Sequence, residues 1–165
     1  MTPAILVGEY ELTIDEKNRL SIPSDIRKSL QPDRDGEKFY VVVGSNKRPW
    51  LYPELYWKEL ARQLEQSIAT DDEVLEFEQM MFARARPVEW DNQFRVLLPD
   101  KTLKRTGVGR EVTLIGVRDH LELWNRSDWD AREEELAARM PEIIARARRN
   151  RISPPPAKPE TPPEK

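Results

Sequence analysis

A nine-residue pattern that occurs twice is the feature that most constrains this chain. Residues 15–23 read DEKNRLSIP, and 76 positions later residues 91–99 read DNQFRVLLP. In both copies an Arg follows the Asp by four positions, and a Pro follows the Arg by four. A polar turn that leads into a short alternating run and stops at Pro is typical of a strand, a tight turn and a second strand.

The repetition extends beyond these nine residues. Each copy is followed by a short helical segment, an apolar strand that ends in Gly, and aromatic residues. These later landmarks are 72 residues apart: Gly44 and Gly116, Tyr52 and Trp124, Trp57 and Trp129. The change from 76 to 72 assigns four extra residues to the first repeat, which we place in the polar stretch 31–38. The sequence therefore predicts two tandem repeats, each too small to bury enough apolar surface alone, that share one core.

Local patterns predict the elements of the first repeat and of the segment after it. Alternation predicts a strand over 8–14, and Ser24 or Asp25 is expected to cap a helix that ends at Leu30. Strands are expected over 39–43 and 50–52. A helix is expected to start at Pro53 and continue to Ile68. A second helix, capped by Asp71 or Asp72, is expected to close at Pro87.

The second repeat is expected to follow the same order, with Gly107 directly after its short helix. Asn125 or Ser127 is expected to cap a last helix through Met140, which Pro141 interrupts or restarts. Six of the last twelve residues are Pro, which predicts a disordered tail, and the arginines before it either contact nucleic acid or finish a helix. The predicted organisation is repeat 1 at 5–52, a helical linker pair at 53–86, repeat 2 with a C-terminal helix at 87–140, and a basic, then Pro-rich tail at 141–165.

Composition argues against most catalytic and metal chemistry. The chain has no Cys and a single His, His120, expected in a loop without a nucleophile beside it. We therefore expect no enzyme activity, no catalytic residue, no metal, no cofactor and no small-molecule substrate. No signal peptide is evident, and no stretch approaches the ~20 apolar residues of a membrane span. The expected location is the cytoplasm, without a membrane partner.

The charge distribution favours a nucleic-acid partner more than the net charge does. The net charge is -3, but residues 91–110 contain five basic and two acidic residues. Asp at the head of a turn accepts backbone hydrogen bonds and would fix the loop that carries the Arg. A guanidinium fork matches phosphate oxygens or the guanine edge in the major groove. The alternative is that the Asp–Arg pairs only stiffen their own turns.

Several short motifs occur in a fixed order along about the first 140 residues. They are Gly8, residues 15–23, LYP at 51–53 with Trp57, Ala85 with Glu89, residues 91–99, residues 114–116, and LELW at 121–124 with Trp129. In this order they resemble the MraZ family of bacterial transcriptional regulators, which is built from two AbrB-like repeats.

The resemblance implies an α+β fold in which two tandem swapped-hairpin repeats form a double-psi-like β-barrel core with flanking helices. It also implies a ring homo-oligomer that binds double-stranded DNA at short direct repeats near its own promoter, in a cell-division and cell-wall gene cluster. The protein would then be associated with the nucleoid. The expected DNA-binding residues are Arg19, Lys17, Asn18, Arg95 and Arg27, and the expected turn-stabilising residues are Asp15 and Asp91. For Arg27, on the helix after the first turn, an ordinary solvated charge is the alternative.

The chain departs from the family pattern immediately before each Arg. Relatives usually have Gly there, whereas this chain has Asn18 and Phe94. Asn tolerates a left-handed backbone and Phe tolerates it poorly. We therefore expect the second turn to be reshaped, with Phe94 exposed or tucked under a neighbour.

Three other functional classes compete with this interpretation. A dimeric AbrB or antitoxin-type regulator usually has one such repeat per protomer, so the tandem copy argues against it. A non-catalytic oligomeric scaffold would use the Arg turns for structural ion pairs. An enzyme on a related barrel would need a catalytic constellation that the sequence does not offer.

Overall fold

The computed structural model describes residues 2–64 and 72–152. Within them the chain forms eight strands and seven helices, so the α+β class is confirmed. The chain divides after Trp129 into two compact units. In order, the elements are β1 Glu9–Thr13, β2 Arg19–Ser21, α1 Ser24–Ser29, α2 Pro32–Asp35, β3 Lys38–Val43, β4 Pro49–Pro53, α3 Glu54–Leu64, α4 Asp72–Arg84, β5 Arg86–Glu89, β6 Arg95–Leu97, α5 Asp100–Thr106, β7 Glu111–Gly116, β8 Leu121–Asn125, α6 Arg126–Ala138 and α7 Met140–Ile152.

The two repeats have the same order of elements. Strand, turn, strand, short helix, two strands and a longer helix occur first as β1, β2, α1, β3, β4 and α3, and then as β5, β6, α5, β7, β8 and α6. The first repeat also has α2, a four-residue helix within the stretch to which the extra residues were assigned. In the second repeat Gly107 follows α5 with a left-handed backbone, at φ 67°, as predicted.

Six strands form one antiparallel sheet in the order β1-β7-β8-β4-β3-β5. Exchanging the two repeats leaves this order unchanged. The first strand of each repeat pairs with the third strand of the other, β1 with β7 and β5 with β3. The fourth strands, β4 and β8, pair with each other at the centre. Each half of the sheet therefore depends on strands from both repeats.

The remaining strands, β2 and β6, pair with each other in a separate two-stranded ribbon. Leu20 and Val96 are fully buried in the same core as Leu51 and Leu123 of the large sheet. The expected closed barrel is wrong for the described residues, because the ladders form an open sheet and a ribbon. The physical reason is length: β2 and β6 have three residues each, and a Pro follows two residues after each strand.

Several predicted helix ends differ from the structure. α1 ends at Ser29, and Pro23 is at its N-cap without a side-chain capping bond, so neither Ser24 nor Asp25 caps it. α3 begins only after Pro53, which ends β4. Ile68 and Asp71 lie outside the described residues.

Further along the chain, α4 ends at Arg84, before Pro87, which is part of β5. Asn125 ends β8 and binds the backbone of Gly107 and Gly109 rather than capping α6. Pro141 lies in the first turn of α7, which continues to Ile152. The part of the predicted disordered tail up to residue 152 is therefore helical, because a basic run without Pro is compatible with a helix. Residues 153–165 are outside the described part of the chain. None of the helices in the described stretches is both long and apolar enough to cross a membrane.

Candidate nucleic-acid interface

The first turn is held by its own Asp. Asp15 Oδ1 accepts hydrogen bonds from the backbone N–H groups of Lys17 (2.9 Å) and Arg19 (2.8 Å). Asp15 Oδ2 accepts a third from Arg19 Nε, at 2.7 Å. Arg19 also accepts a hydrogen bond from the Asp15 N–H, and Asn18 sits at φ 62°. One carboxylate therefore fixes both the backbone of the turn and the direction of the Arg side chain.

The second turn has the same contacts. Asp91 Oδ1 accepts from the backbone of Gln93 (2.9 Å) and of Arg95 (3.0 Å), and Oδ2 accepts from Arg95 Nε at 2.9 Å. Phe94 adopts φ 56°, close to the value of Asn18. The expectation of a reshaped second turn is therefore wrong, because the backbone keeps its conformation and Phe bears the strain of a left-handed residue. The expectation that Phe94 is tucked under a neighbour is confirmed, since Arg27 lies over its ring.

Contacts of the Phe94 ring offset that strain. The ring stacks on Trp90 with a centroid distance of 5.5 Å and an interplanar angle of 16°. Arg27 of α1 places its guanidinium carbon 3.4 Å from the Phe94 ring centroid. The Phe94 carbonyl accepts a hydrogen bond from the backbone of Ile22, at 2.9 Å. A stacked pair and a cation–π contact are each worth on the order of 1 kcal/mol, similar to the backbone cost.

Both turn carboxylates are ionised near neutral pH. The pKa of Asp15 is lowered, mainly by the hydrogen bond from the backbone of Arg19. The pKa of Asp91 is lowered by the equivalent bond from Arg95. The ion pairs measure 2.7 Å in the first turn and 2.9 Å in the second. This geometry fits both roles of the ion pairs, stiffening of the turn and positioning of the Arg side chain.

The ribbon brings the two arginines onto one surface. In its register Arg19 is opposite Leu97 and Ser21 is opposite Arg95. Side chains alternate along a strand, so these four lie on the outer face, opposite the buried Leu20–Val96 pair. Arg19 and Arg95 occupy diagonal positions, which are about 7–8 Å apart in an antiparallel pair.

The ends of both guanidinium groups remain available. Only Nε of Arg19 and of Arg95 bonds to its Asp, and neither Nη atom of either residue has a hydrogen-bond partner in the described part of the chain. The two side chains are 32% and 25% exposed. The ribbon therefore presents two fixed forks whose outer donors face solvent.

The structure places the other predicted site residues around this face. Lys17 is exposed at the tip of the first turn, and the Asn18 carbonyl accepts from the backbone of Leu98 at 2.8 Å. Arg110 donates from Nη1 to the Asp15 carbonyl at 2.5 Å. Arg110 therefore supports the first turn from the position directly before β7. Lys104 pairs with Asp100 within α5, at 2.8 Å.

Sequence reasoning missed a buried polar cluster at the opposite end of the repeats. His120 is in a loop, as expected, but is only 6% exposed. Its Nδ1 lies 2.6 Å from Asp119 Oδ1, and its Nε2 lies 3.3 Å from Glu122 Oε2. The imidazole also stacks on Trp50, at 4.2 Å between centroids. The only signal in the sequence was the spacing of three titratable residues within four positions, which has no specific meaning alone.

This cluster joins the two repeats. Tyr56 donates to Asp119 at 2.9 Å, and Asn46 donates to Glu122 at 2.6 Å. Burial on its own lowers the pKa of His120, but hydrogen bonds to Glu122 and Asp119 outweigh burial and raise that pKa. Burial alone would raise the pKa values of Asp119 and Glu122, but the hydrogen bonds to each carboxylate, that to His120 first among them, together outweigh burial and lower both pKa values. The cluster therefore favours the protonated, paired form of His120 over its neutral form.

Comparison with known proteins adds independent information. The family model described as "MraZ protein, putative antitoxin-like" matches residues 5–76 and 81–151. A protein of Thermomicrobium roseum named "Transcriptional regulator MraZ" is 32% identical over 142 residues, which cover 86% of this chain and 96% of that protein. Proteins of the same name are 29% identical in Clostridium tetani, over 84% of this chain and 99% of the relative, and 36% identical in Neisseria meningitidis serogroup C, over 75% and 82%.

Proposed function

Because this chain belongs to the MraZ family, we propose that it is a transcriptional regulator that binds double-stranded DNA through the outer face of the β2–β6 ribbon. The observation that carries the proposal is the pair of arginines on that face. Arg19 and Arg95 are each held at Nε by an Asp and extend their remaining donors to solvent. We assign them to DNA contact, with Asp15 and Asp91 as the residues that position them.

The proposed mechanism rests on preorganisation. A free Arg loses side-chain entropy when it binds a phosphate or a base edge, and the Asp contact has already restricted that freedom. The outer edge of the guanidinium still offers donors for a phosphate oxygen or for guanine O6 and N7. Lys17 and Asn18 at the tip of the first turn would add contacts to the backbone of the DNA. Arg27 would contribute charge while it stays stacked on Phe94.

The finer features of the proposal concern the repeats and their assembly. The reciprocal pairing of β1 with β7 and of β5 with β3 supports a swapped-hairpin arrangement. We propose a ring homo-oligomer, since many copies that present two Arg forks each would bind far more tightly than one acidic protomer. Cyclic symmetry relates neighbours head to tail and suits short direct repeats spaced at about 10 base pairs. The proposed operator lies near the protein's own promoter in a cell-division and cell-wall gene cluster, and the protein would act in the cytoplasm at the nucleoid.

The first test measures binding to the DNA upstream of the protein's own gene as salt is raised. Arg19→Ala and Arg95→Ala should each weaken binding, and each lost phosphate contact should reduce the slope of log K against log salt by roughly 0.9. Arg62→Ala is the matched control, because Arg62 is an exposed, ion-paired Arg on α3, away from the ribbon. Unchanged binding by both ribbon variants, with the same salt slope, would contradict the proposal.

A second variant separates positioning from simple charge. Asp15→Asn keeps an oxygen acceptor but removes the charge that holds Arg19 Nε. If charge alone governed binding, removing a negative group beside DNA would strengthen it. We expect weaker binding, because the Arg fork loses its fixed direction. Stronger binding by Asp15→Asn would therefore count against a positioning role for Asp15.

An oligomeric scaffold is the second candidate, and one observation favours it. Both Asp–Arg ion pairs are formed, as a purely structural role would require. In that case wild-type protein would bind the upstream DNA no better than a control duplex at low salt, whereas Arg19→Ala would lower the stability of the protein.

A further inference from the structure

Helix α4 presents an acidic and apolar surface that the described residues of the same chain leave uncovered. Its inner side packs Met81 against the cluster around Trp57, yet no residue of α4 is fully buried. Phe77 is 51% exposed and Met80 is 52% exposed. Glu76 lies one turn before Met80 on the same face, since residues four apart are neighbours on a helix. The sequence of α4 contains four acidic residues and one basic residue, a net charge of -3.

Helix α7 has the complementary character. Met140 is 52% exposed and Ile144 is 43% exposed. Arg148 is also exposed and follows them at the same spacing of four, so the three lie along one stripe. The sequence of α7 contains four arginines and one glutamate, a net charge of +3.

The order of charged and exposed apolar residues along each helix defines the direction in which the two helices can dock. In α4 three of the four acidic residues precede the exposed Phe77 and Met80, whereas in α7 all four arginines follow the exposed Met140 and Ile144. Only an antiparallel arrangement places apolar against apolar and acid against base. Antiparallel helices also bring opposite dipole ends together.

We propose that α7 of one copy docks antiparallel on α4 of a second copy, an inference that rests on the self-assembly proposed above and assigns its surfaces. The two patches are different and lie on different helices, so each copy offers one of each and every contact is head to tail. That is the type of interface from which closed rings are built. The charges select the partner and its direction, and the apolar residues supply the burial that exposed ion pairs lack.

The test reverses the charge of one patch at a time in the full-length protein. E76R/Q79R adds three positive charges to α4, and A147E/R148E adds three negative charges to α7. All four positions are exposed and accept good helix formers. The matched control, E134R/A137R, makes the same change of +3 on exposed positions of α6. The masses of the assemblies are measured by native mass spectrometry and light scattering.

We expect each patch variant alone to fall to single chains, because like charges then face each other at every contact. An equal mixture should recover the wild-type mass with the two chains in a 1:1 ratio, since α4 of each chain then meets an opposite α7. The control should keep the wild-type mass.

Four outcomes would overturn the inference. The first is that both patch variants keep the wild-type mass. The second is that the mixture stays dissociated although a single chain with all four substitutions assembles. The third is that A147E/R148E loses DNA binding with its assembly intact, and the fourth is that the wild-type protein is monomeric. The second would place α7 on α4 of the same chain, and the third would make α7 a DNA contact. Failure of the DNA-binding proposal can be distinguished from failure of this inference. The Arg19→Ala variant is tested by DNA binding, whereas the helix variants are tested by the mass of the assembly.

Discussion

At the scale of single residues, the position before each Arg shows how one backbone conformation accepts two unlike side chains. Asn18 and Phe94 both have φ near 60°. Asn reaches the left-handed region with little cost, because its short polar side chain is tolerated there. Phe has no such advantage, and its contacts with Trp90 and Arg27 stabilise it instead. The local cost at Phe94 is therefore offset by neighbours that are distant in sequence.

Replacing Phe94 can separate these two effects. Phe94→Ala and Phe94→Gly both remove the stacked ring, but only Gly also relieves the left-handed backbone. We expect both to destabilise the protein, with Phe94→Gly more stable than Phe94→Ala by about 1 kcal/mol in urea unfolding. The same pair of changes at Gln93, which is not among the residues with positive φ, should show the opposite order. If Ala were the more stable replacement at Phe94, the turn would not depend on a left-handed residue.

At the scale of elements, the strands are fixed by close backbone approaches as well as by hydrogen bonds. Gly116 ends β7 where the N-terminal segment passes over it, and a Cβ atom there would lie 2.5 Å from the backbone nitrogen of Val7. Leu6, fully buried beside it, exchanges backbone hydrogen bonds with Arg118. The Gly that ended the predicted strand is therefore needed for packing of the N-terminal segment against that strand.

Gly116→Ala tests this approach. The backbone of the N-terminal segment would have to move, so we expect a loss of about 1–3 kcal/mol of unfolding free energy, typical of overpacking. Gly109→Ala is the matched control, because its Cβ would lie 3.5 Å from Asn125 Oδ1, an ordinary contact. The control should change stability by no more than about 0.5 kcal/mol. Equal stabilities of the two variants in urea unfolding would show that the segment adjusts freely.

At the scale of the whole molecule, the two repeats are interdependent. Exchanged first strands, the β2–β6 ribbon and the central β4–β8 pair all join one repeat to the other. The His120 cluster adds a polar link between Asn46 and Tyr56 of the first repeat and Asp119 and Glu122 of the second. We infer that neither repeat would be stable alone, because each would leave half of its sheet unpaired.

The pH dependence of stability should report this link. The pKa of His120 is raised in the folded protein, so its contribution is full below the unfolded value of about 6.5 and is lost as pH rises through the folded pKa. The pKa values of Asp119 and Glu122 are lowered, so these groups stay charged over the same range. The difference in unfolding free energy between wild type and His120→Gln should therefore be larger at pH 6 than at pH 9.

Urea unfolding of both proteins at the two pH values measures this difference directly. His120 is the single histidine of the chain, so other titrations largely cancel in the comparison. Equal differences at pH 6 and pH 9 would mean that folding leaves the pKa of His120 unchanged, and a smaller difference at pH 6 would mean that folding lowers it.

The sequence by itself determined the features that depend on interactions between residues close together in the chain. The repeat, the Asp-to-Arg turns, the alternating strands and the left-handed Gly107 depend on contacts within a few positions, and the structure contains each of them. Helix ends were predicted less well: Pro23, with its fixed φ, occupies the N-cap of α1, so the expected cap Ser24 lies inside the helix.

Only the tertiary structure decided how the repeats combine. The pairing of Arg19 with Leu97, which sets both arginines on one face, joins residues 78 positions apart. The stack of Arg27 on Phe94 and the buried partners of His120 likewise join distant segments. Hydrophobic alternation specifies which face of a strand is buried but leaves open which strand lies beside it, because any strand with the same period buries the same surface. Pairing is set by the packing of the complete core, which exists only once both repeats are in place.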